Sequence, residues 1–445
     1  MELNLGLHIN QEPIFFSDAK VKVVCCGRRF GKTVFAGNVV VKTAFSKPNS
    51  MSWIVSPRYS QTMIMWRKVN KLIPKDYITD SSKGDFWIEL ENGSMVFAKS
   101  ADNPDSLVGE GLDLCVLDEA ARVKPEAWEV SLQPTLLDSD GDAILLSTPK
   151  GKNWFYTEYL KGLNKEDFPE YQSFHFTSYD NPFLDPKLID RKKKTMPWLM
   201  FKQEILAEFV DDGGEVFSGV DACIYDCTHT LPIPGREYVM GGDLAKYEDF
   251  TVLYVIDTET RKVVWFKRLP HMDWAPQKDI IEYAHHKWND APLLIDATGV
   301  GDPIVEDLEK RCIGVIPYKF SGNTLKKQVI EGLQVAFQNR DIFIPRDKVL
   351  LGELGAYSYE RLPKSGLFRY GAPPGFHDDC VTALALAVWG LEKEYGGRVV
   401  GTMAPFYEEA ELSEPLVPSE HNRLIEDLQV NFSDDDDRLT DYMDD

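Results

Sequence analysis

Apolar positions through residues 1–210 fall in short, nearly unbroken runs, separated by stretches where they recur every three or four residues. VKVVCC (21–26), SWIVSP (52–57), LDLCVLDEA (112–120), AILLSTP (143–149) and YQSFHFTS (171–178) have strand length. QTMIMWRKVNKLI (61–73) and FKQEILAEFV (201–210) have helical spacing. WIEL (87–90) and SMVFAKS (94–100) flank Glu91-Asn92-Gly93 and predict a hairpin. Strands apolar on both faces, alternating with helices, predict a parallel α/β sheet covered on both sides.

At DDGGEVFSG (211–219) the periodicity stops in a cluster of breakers, which predicts a linker over 211–228. A different order follows: three strands joined by turns, YVMGGDL (238–244), TVLYVID (251–257) and KVVWFKRL (262–269). Then come a helix (276–288), the strand PLLIDATG (292–299), a helix (303–311), the strand GVIPYKF (314–320) and further helices to Lys393. An antiparallel meander followed by β-α units is the order of an RNase H-like mixed α/β sheet, expected here over 229–395.

Charge changes the picture at the end of the chain. The net charge is −22, and residues 408–445 hold 14 acidic against 2 basic residues, or −12, leaving −10 for the other 407. Residues 396–445 therefore read as an acidic, disordered tail, or as an arm for a basic partner. No run of 18 apolar residues and no leader pattern occur, so a soluble intracellular protein without a membrane segment is expected. Seven cysteines without a Cys-x-x-Cys pair disfavour a disulfide framework and a zinc ribbon.

In VKVVCCGRRFGKT a strand runs into a glycine-bearing turn and then a helix. Backbone N–H groups of such a turn cradle phosphates, a lysine reaches the terminal phosphates and a hydroxyl holds Mg²⁺. Those roles fall to Gly27, Gly31, Lys32 and Thr33, although Cys26 stands where the P-loop pattern has its first glycine. LDLCVLDEA ends in Asp118 and Glu119, suited to hold Mg²⁺ and to polarise the attacking water; the same pair could instead cap a helix. AILLSTP ends in Ser147 and Thr148, whose hydroxyls could sense the γ-phosphate; by itself Ser-Thr-Pro is a turn signal.

Three carboxylate positions stand out in the second half. Asp243 follows the strand YVMGG, Asp296 ends PLLI, and Asp378 and Asp379 precede the helix VTALALAVWGLEK. Each alone reads as a turn or cap residue. Together they have the order that two-metal phosphodiester cleavage requires, with Mg²⁺ or Mn²⁺ held by oxygen ligands from separate elements. Asp302 and Asp249 are weaker candidates, and His377 could orient a phosphate or water.

The order GRRFGKT, SWIVSPRYSQ, LCVLDEA, LLSTPKG, then GGDLA, LLIDATGVGD and HDDCVTALALA, closely resembles the large terminase subunit of tailed bacteriophages across residues 8–395. The resemblance implies a P-loop ATPase domain over 1–210 and an RNase H-like nuclease beyond the linker. It implies ATP and Mg²⁺ as cofactors, with Mn²⁺ acceptable to the nuclease. ATP hydrolysis would drive double-stranded DNA into a procapsid, and cleavage would cut concatemers. The implied partners are a portal protein and a small terminase subunit, with a homo-oligomeric ring on the portal in the host cell cytoplasm. It also implies adenine contact by Gln11, phosphate contact by Arg28 or Arg29, and an arginine finger from a neighbouring subunit. Relatives carry that arginine where this chain has Val108, so Arg58, Arg67 and Arg122 are the candidates.

DNA contacts would come from Lys187 with Arg191 to Lys194, and from Lys326, Lys327, Arg361, Lys364 and Arg369. Two other classes fit parts of the pattern: a repair-type DNA translocase or helicase-nuclease, and a non-catalytic assembly adaptor whose carboxylates only cap turns.

Overall fold

Strand-forming runs and helical stretches alternate in the first half as the sequence predicts, except that the closing helix read over 201–210 starts earlier and stops at Glu204: α1 (Glu12–Phe15), β1 (Val21–Cys26), α2 (Lys32–Ser46), β2 (Met51–Ser56), α3 (Tyr59–Leu72), β3 (Ile78–Ser82), β4 (Trp87–Leu90), β5 (Met95–Ser100), β6 (Leu114–Asp118), α4 (Gln133–Thr135), β7 (Asp142–Ser147), α5 (Trp154–Leu163), β8 (Tyr171–Phe176), α6 (Pro186–Thr195) and α7 (Trp198–Glu204). The structure is a computed structural model that describes residues 6–210, 216–226, 231–245, 250–298, 302–311, 314–320, 323–361, 368–373 and 375–394. The acidic tail, Asp249 and Lys364 lie outside the described residues.

The eight strands form one sheet of order β3-β4-β5-β2-β6-β7-β1-β8. From β5 to β8 all neighbours are parallel. The hairpin around Asn92-Gly93 joins β4 to β5, and β3, whose polar ITDSS carries no strand signal, pairs antiparallel on its outer side.

Helices cover both faces, which explains the unbroken apolar runs. Val24 and Cys26 pack on one side with Phe35, Val40 and Ile54, while Val23 and Cys25 pack on the other with Trp128, Leu145 and Phe155. β6, β7 and β1 are parallel neighbours, so the loops leaving their C-terminal ends emerge side by side. In open parallel sheets that edge is where ligands bind.

The second half comprises β9 (Ile224–Tyr225), β10 (Tyr238–Asp243), β11 (Thr251–Asp257), β12 (Val263–Leu269), α8 (Trp274–Lys287), β13 (Leu293–Asp296), α9 (Asp302–Arg311), β14 (Val315–Tyr318), α10 (Asn323–Asn339), β15 (Ile344–Pro345), α11 (Lys348–Ala356), β16 (Ser358–Arg361), β17 (Phe368–Gly371) and α12 (Asp379–Glu394). Its main sheet has the order β12-β11-β10-β13-β14, with β10 antiparallel to β11 and parallel to β13. This is the meander followed by parallel β-α units read from the sequence.

Helix α12 lies very close to β10. A methyl group on Gly241 would sit 2.2 Å from the Ala383 carbonyl oxygen and 2.3 Å from the Ala387 nitrogen, so only glycine admits the helix here. Small residues one turn apart on α12 complete the fit, and the approach brings the helix start to the end of β10.

The segment read as a linker does more than connect. Phe217 is buried against Phe337 and Tyr357, with ring centroids 5.9 and 5.4 Å away, and β9 pairs with β15. Residues 216–226 therefore pack with the second half, anchored by the apolar pair Val216-Phe217 inside a breaker-rich stretch. The two halves also touch directly: the Asn339 amide donates to the Lys194 carbonyl (2.9 Å) and the Trp198 N–H to Gln338 Oε1 (3.1 Å).

Candidate functional sites

The turn after β1 explains why Cys26 can replace a glycine. Cys26 is the last strand residue, paired with Phe176, and needs no unusual backbone; burial pushes its thiol up to about 12, so it packs as a neutral small group. Glycine is required at positions 27 and 31 for different reasons. A methyl group on Gly27 would lie 2.4 Å from the Ile205 carbonyl oxygen, and Gly31 has φ 102°.

Carbonyls through the loop are held by side chains from elsewhere. Ser178 Oγ donates to the Arg28 carbonyl (2.7 Å), Asn181 Nδ2 to that of Arg29 (2.6 Å), His8 Nε2 to that of Phe30 (2.9 Å) and Gln11 Nε2 to that of Gly31 (3.3 Å). None of these donors except Gln11 was singled out in the sequence, because isolated polar residues carry no local signal. Gln11 is 1 % exposed and braces the loop through Gly31. The first-turn N–H groups of α2 have no acceptor within the helix and are available to cradle an anion.

Lys32 is buried, its Nζ 3.4 Å from both the Gly27 carbonyl oxygen and Thr148 Oγ1, and 3.8 Å from Glu119 Oε1. Burial works against its charge, and the acidic groups Glu119 and Asp118 are among those that outweigh it, holding its pKa above the ordinary lysine value. Asp118 ends β6, and its Oδ1 is buried with no hydrogen-bond partner. Burial first, then the Glu119 charge, pushes Asp118 up to about 7. Glu119 adopts φ 51° and ψ 41°, a left-handed conformation that a non-glycine residue holds only under constraint, and its Oε2 also lacks a hydrogen-bond partner. The unpartnered Asp118 oxygen and the Glu119 carboxylate, beside a buried lysine, suit a hydrated Mg²⁺ and a nucleotide terminus. Thr33, half-buried in the first turn of α2, completes the donor set.

Ser147 and Thr148 divide. The Ser147 hydroxyl accepts from the Ala121 N–H (3.1 Å) and donates to the Thr148 carbonyl (2.8 Å), tying the β6 and β7 loops together. Thr148 alone presents its hydroxyl to Lys32. On α3, Lys68 is a further cation that the sequence did not single out; burial lowers its pKa, the Asp118 charge opposes, and Arg29 adds to the lowering.

Arg28 and Arg29 also part ways. Arg29 is exposed at φ 65°, whereas Arg28 Nε lies 2.5 Å from Glu204 Oε2 and Lys150 pairs with the other oxygen. Glu204, at the end of α7, is 3 % exposed. Burial alone would raise its pKa, but Lys150 and Arg28 hold it well below the carboxylate range. Lys150 moves down as well, since burial there outweighs the charges of Glu204 and Glu119, and Arg122 repels it.

This triad joins the loop after β1, the loop after β7 and the last helix of the first half. Glu204→Gln should destabilise the protein by about 3 kcal/mol at neutral pH, the range for breaking a buried pair. Because Glu204 is more acidic folded than unfolded, its contribution is complete at pH 7 and fades below about pH 4. Melting temperatures of the two proteins should therefore differ most at pH 7 and converge towards acid.

Arg122 sits beside its own chain's Glu119, Nε to Oε2 3.5 Å, while Arg58 and Arg67 are exposed. Val108 is 63 % exposed.

The second site forms where β10, β13 and α12 meet. Asp243 and Asp296 are direct partners in the parallel β10–β13 register, at the C-terminal ends of both strands. Asp379 begins α12, is 4 % exposed and accepts from the Phe250 N–H (3.1 Å). Asp378 faces Lys326 at 3.1 Å. Burial and then the charges of Asp296, Asp379 and Asp378 raise Asp243 well above its ordinary pKa, with Lys326 opposing. Such crowding is relieved by divalent cations, and an all-carboxylate donor set fits Mg²⁺ or Mn²⁺.

Asp296 Oδ1 is oriented by the Thr298 N–H (2.8 Å) and hydroxyl (2.5 Å). The start of α12 is held by Glu353, whose carboxylate accepts from the Cys380 N–H (2.8 Å). Phe250, which positions Asp379, stacks on His271 and carries the Arg268 guanidinium 3.6 Å from its ring centroid. His377 Nδ1 is 3.9 Å from Asp379 Oδ2. Asp302 begins α9, and its side chain lies outside the described residues.

Among the basic residues, Lys187 and Arg191 to Lys194 are exposed on α6. Lys327 corrects the expectation for its patch: it is 8 % exposed and lies 3.7 Å from Glu331, a buried pair rather than a phosphate contact. Arg369 is exposed, and the side chain of Arg361 lies outside the described residues. Among the described residues no helix is long and apolar enough to cross a membrane.

Residues 24–222 match the family described as terminase large subunit, T4likevirus-type, N-terminal. The large terminase subunit of Thermus virus P23-45 is 31 % identical over 429 residues, covering 87 % of this chain and 88 % of the relative. The solved ATPase domain of the Thermus phage P74-26 large terminase is 33 % identical, covering 46 % of this chain and 96 % of that one, with a TM-score of 0.42. The solved nuclease of the phage G20c large terminase with bound magnesium is 29 % identical, covering 40 % and 97 %, with a TM-score of 0.37.

Proposed function

Because this chain belongs to the terminase large-subunit family, we propose that it is the motor subunit that packages viral DNA and cuts it to length. ATP hydrolysis in the first half drives double-stranded DNA into procapsids, and a two-metal endonuclease in the second half cleaves concatemers. The observation that carries this reading is the separation of two acid clusters: Asp118 and Glu119 beside Lys32 on one sheet, Asp243 paired with Asp296 on another.

In the first site the amides around Gly27 and Gly31 hold the phosphates, and Lys32 stabilises charge on the γ-phosphoryl oxygens. Thr33 and Asp118 hold Mg²⁺, and a Glu119 oxygen accepts a proton from the attacking water. Thr148 adjoins Lys32 and registers the γ-phosphate, while Arg29 is the intrachain arginine free to reach the phosphates. Gln11, placed behind the loop, sets its shape and contacts adenine from there. Arg58 and Arg67 are the candidates to reach a neighbouring subunit, since Arg122 attends to Glu119 of its own chain.

In the second site Asp243, Asp296 and Asp379 hold the metal ions, with Asp378 adjacent. Mg²⁺ or Mn²⁺ supplies charge neutralisation and a water of lowered pKa. Thr298 orients Asp296, Phe250 orients Asp379, and Arg268 adds positive potential at the scissile phosphate.

The exposed basic run on α6 contacts the DNA backbone, whose sequence-independent charge suits a motor. Portal protein, small terminase subunit and procapsid are the partners, in a ring assembled in the host cell cytoplasm. Family membership weighs against the repair enzyme and the passive adaptor.

The test is packaging itself. Mixed with portal-bearing procapsids, small subunit, linear duplex and ATP, the protein should render DNA resistant to added nuclease. Strand separation with no ATP-dependent protection would support the repair enzyme instead.

A further inference from the structure

The C-terminal end of α8 carries a side-chain cluster that neither site uses. The helix closes with His285-His286-Lys287, and Asn289 and Asp290, at φ 56° and 54°, turn the chain back on itself. Asp290 Oδ1 thereby comes 2.7 Å from His286 Nδ1 and 3.7 Å from His285 Nε2. One ligand atom from each of the three residues lies within 4.8 Å of the others.

His285 is 1 % exposed, and its Nδ1 is 2.9 Å from the Ala291 carbonyl oxygen. A carbonyl only accepts, so Nδ1 bears the hydrogen and Nε2 of the neutral ring presents a lone pair. That Nε2 is buried without a hydrogen-bond partner and points towards Asp290. Leaving such a buried group unsatisfied is costly, so a ligand for it is favoured.

We propose that His285 Nε2, His286 Nδ1 and Asp290 Oδ1 bind a divalent transition cation of the Zn²⁺ class. Two imidazoles and one carboxylate suit Zn²⁺, Co²⁺ or Ni²⁺ and not Mg²⁺, which prefers oxygen. Metal bonds of about 2.0–2.2 Å place tetrahedral ligands roughly 3.3–3.5 Å apart, and the two separations to Asp290 bracket that span. The Ala291 carbonyl is the outer partner that fixes the tautomer of His285. Three protein ligands leave a fourth position for water.

The bound ion would clip the end of α8 to the segment entering β13, the strand that ends in Asp296. It is a structural site, independent of the packaging assignment.

Full-length protein in excess Mg²⁺, titrated with Co²⁺, should show a single saturable site with the visible absorption of four-coordinate cobalt, displaced by Zn²⁺. His286 and Asp290 side chains are 55 % and 67 % exposed, so His286→Ala and Asp290→Ala should fold and keep their ATP turnover. Each should weaken binding at least about tenfold. Asp296→Asn should bind cobalt here as the wild type does. Unchanged affinity in both His286→Ala and Asp290→Ala, loss of the site in Asp296→Asn, or no saturable binding in wild type would each overturn the proposal.

Discussion

Lys32→Ala should reduce ATP turnover by about 10²–10³-fold or more while metal-dependent plasmid cleavage stays at the wild-type rate. Removing one preorganised charge from a water-poor site has an effect of that size on the transition state. Lys32 is well placed for it: nearly buried, in contact with Gly27 and Thr148, and held charged by its acidic neighbours. Alanine would remove the buried cation beside Asp118 and Glu119, leaving Arg122 and Lys68 near them, so nucleotide and Mg²⁺ affinity should fall together. Steady-state phosphate release measures the first effect and a nucleotide-binding titration the second. The fold should survive, because Phe35, Ala36 and Val40 of α2 still anchor the helix in the core.

Asp296→Asn should lower plasmid cleavage by at least about 10²-fold with ATP turnover unchanged. The amide keeps the side chain's shape and can still accept from Thr298, so the end of β13 need not move. What disappears is a negative ligand beside Asp243. In metal-free buffer that loss should raise the melting temperature or leave it unchanged, because Asp243 is already crowded by like charge. A merely structural Asp296 would show the opposite: lower stability and partial activity. Nicking of supercoiled plasmid in Mn²⁺, alongside thermal unfolding in chelator, separates the two.

Much of this was legible along the chain because the signals are local. The P-loop, Asp118-Glu119 and Ser147-Thr148 each sit where an apolar strand ends, and strand length and turn chemistry reveal such places. Even Cys26 follows a local rule, since a strand residue needs no glycine. Asp243 and Asp296 were readable as strand ends, but their direct pairing depends on register, which spacing does not state.

The unreadable parts are long-range partnerships of ordinary residues. Glu204 meets Arg28 and Lys150 only in the folded chain, and Glu353 caps α12 from α11. Lys326 and Lys327 look alike in sequence, yet the helix turn sends one to Asp378 and buries the other beside Glu331. Phe217 sits among glycines and aspartates that suggest a free tether, and packing with Phe337 overrides them.

That the chain holds two independent catalytic centres is tested most directly by assaying wild type, Lys32→Ala and Asp296→Asn, prepared side by side, for phosphate release and for Mn²⁺-dependent plasmid nicking. A crossed pattern is predicted: the lysine variant nicks but does not hydrolyse ATP, and the aspartate variant hydrolyses ATP but does not nick. Loss of both activities in each folded variant would contradict it.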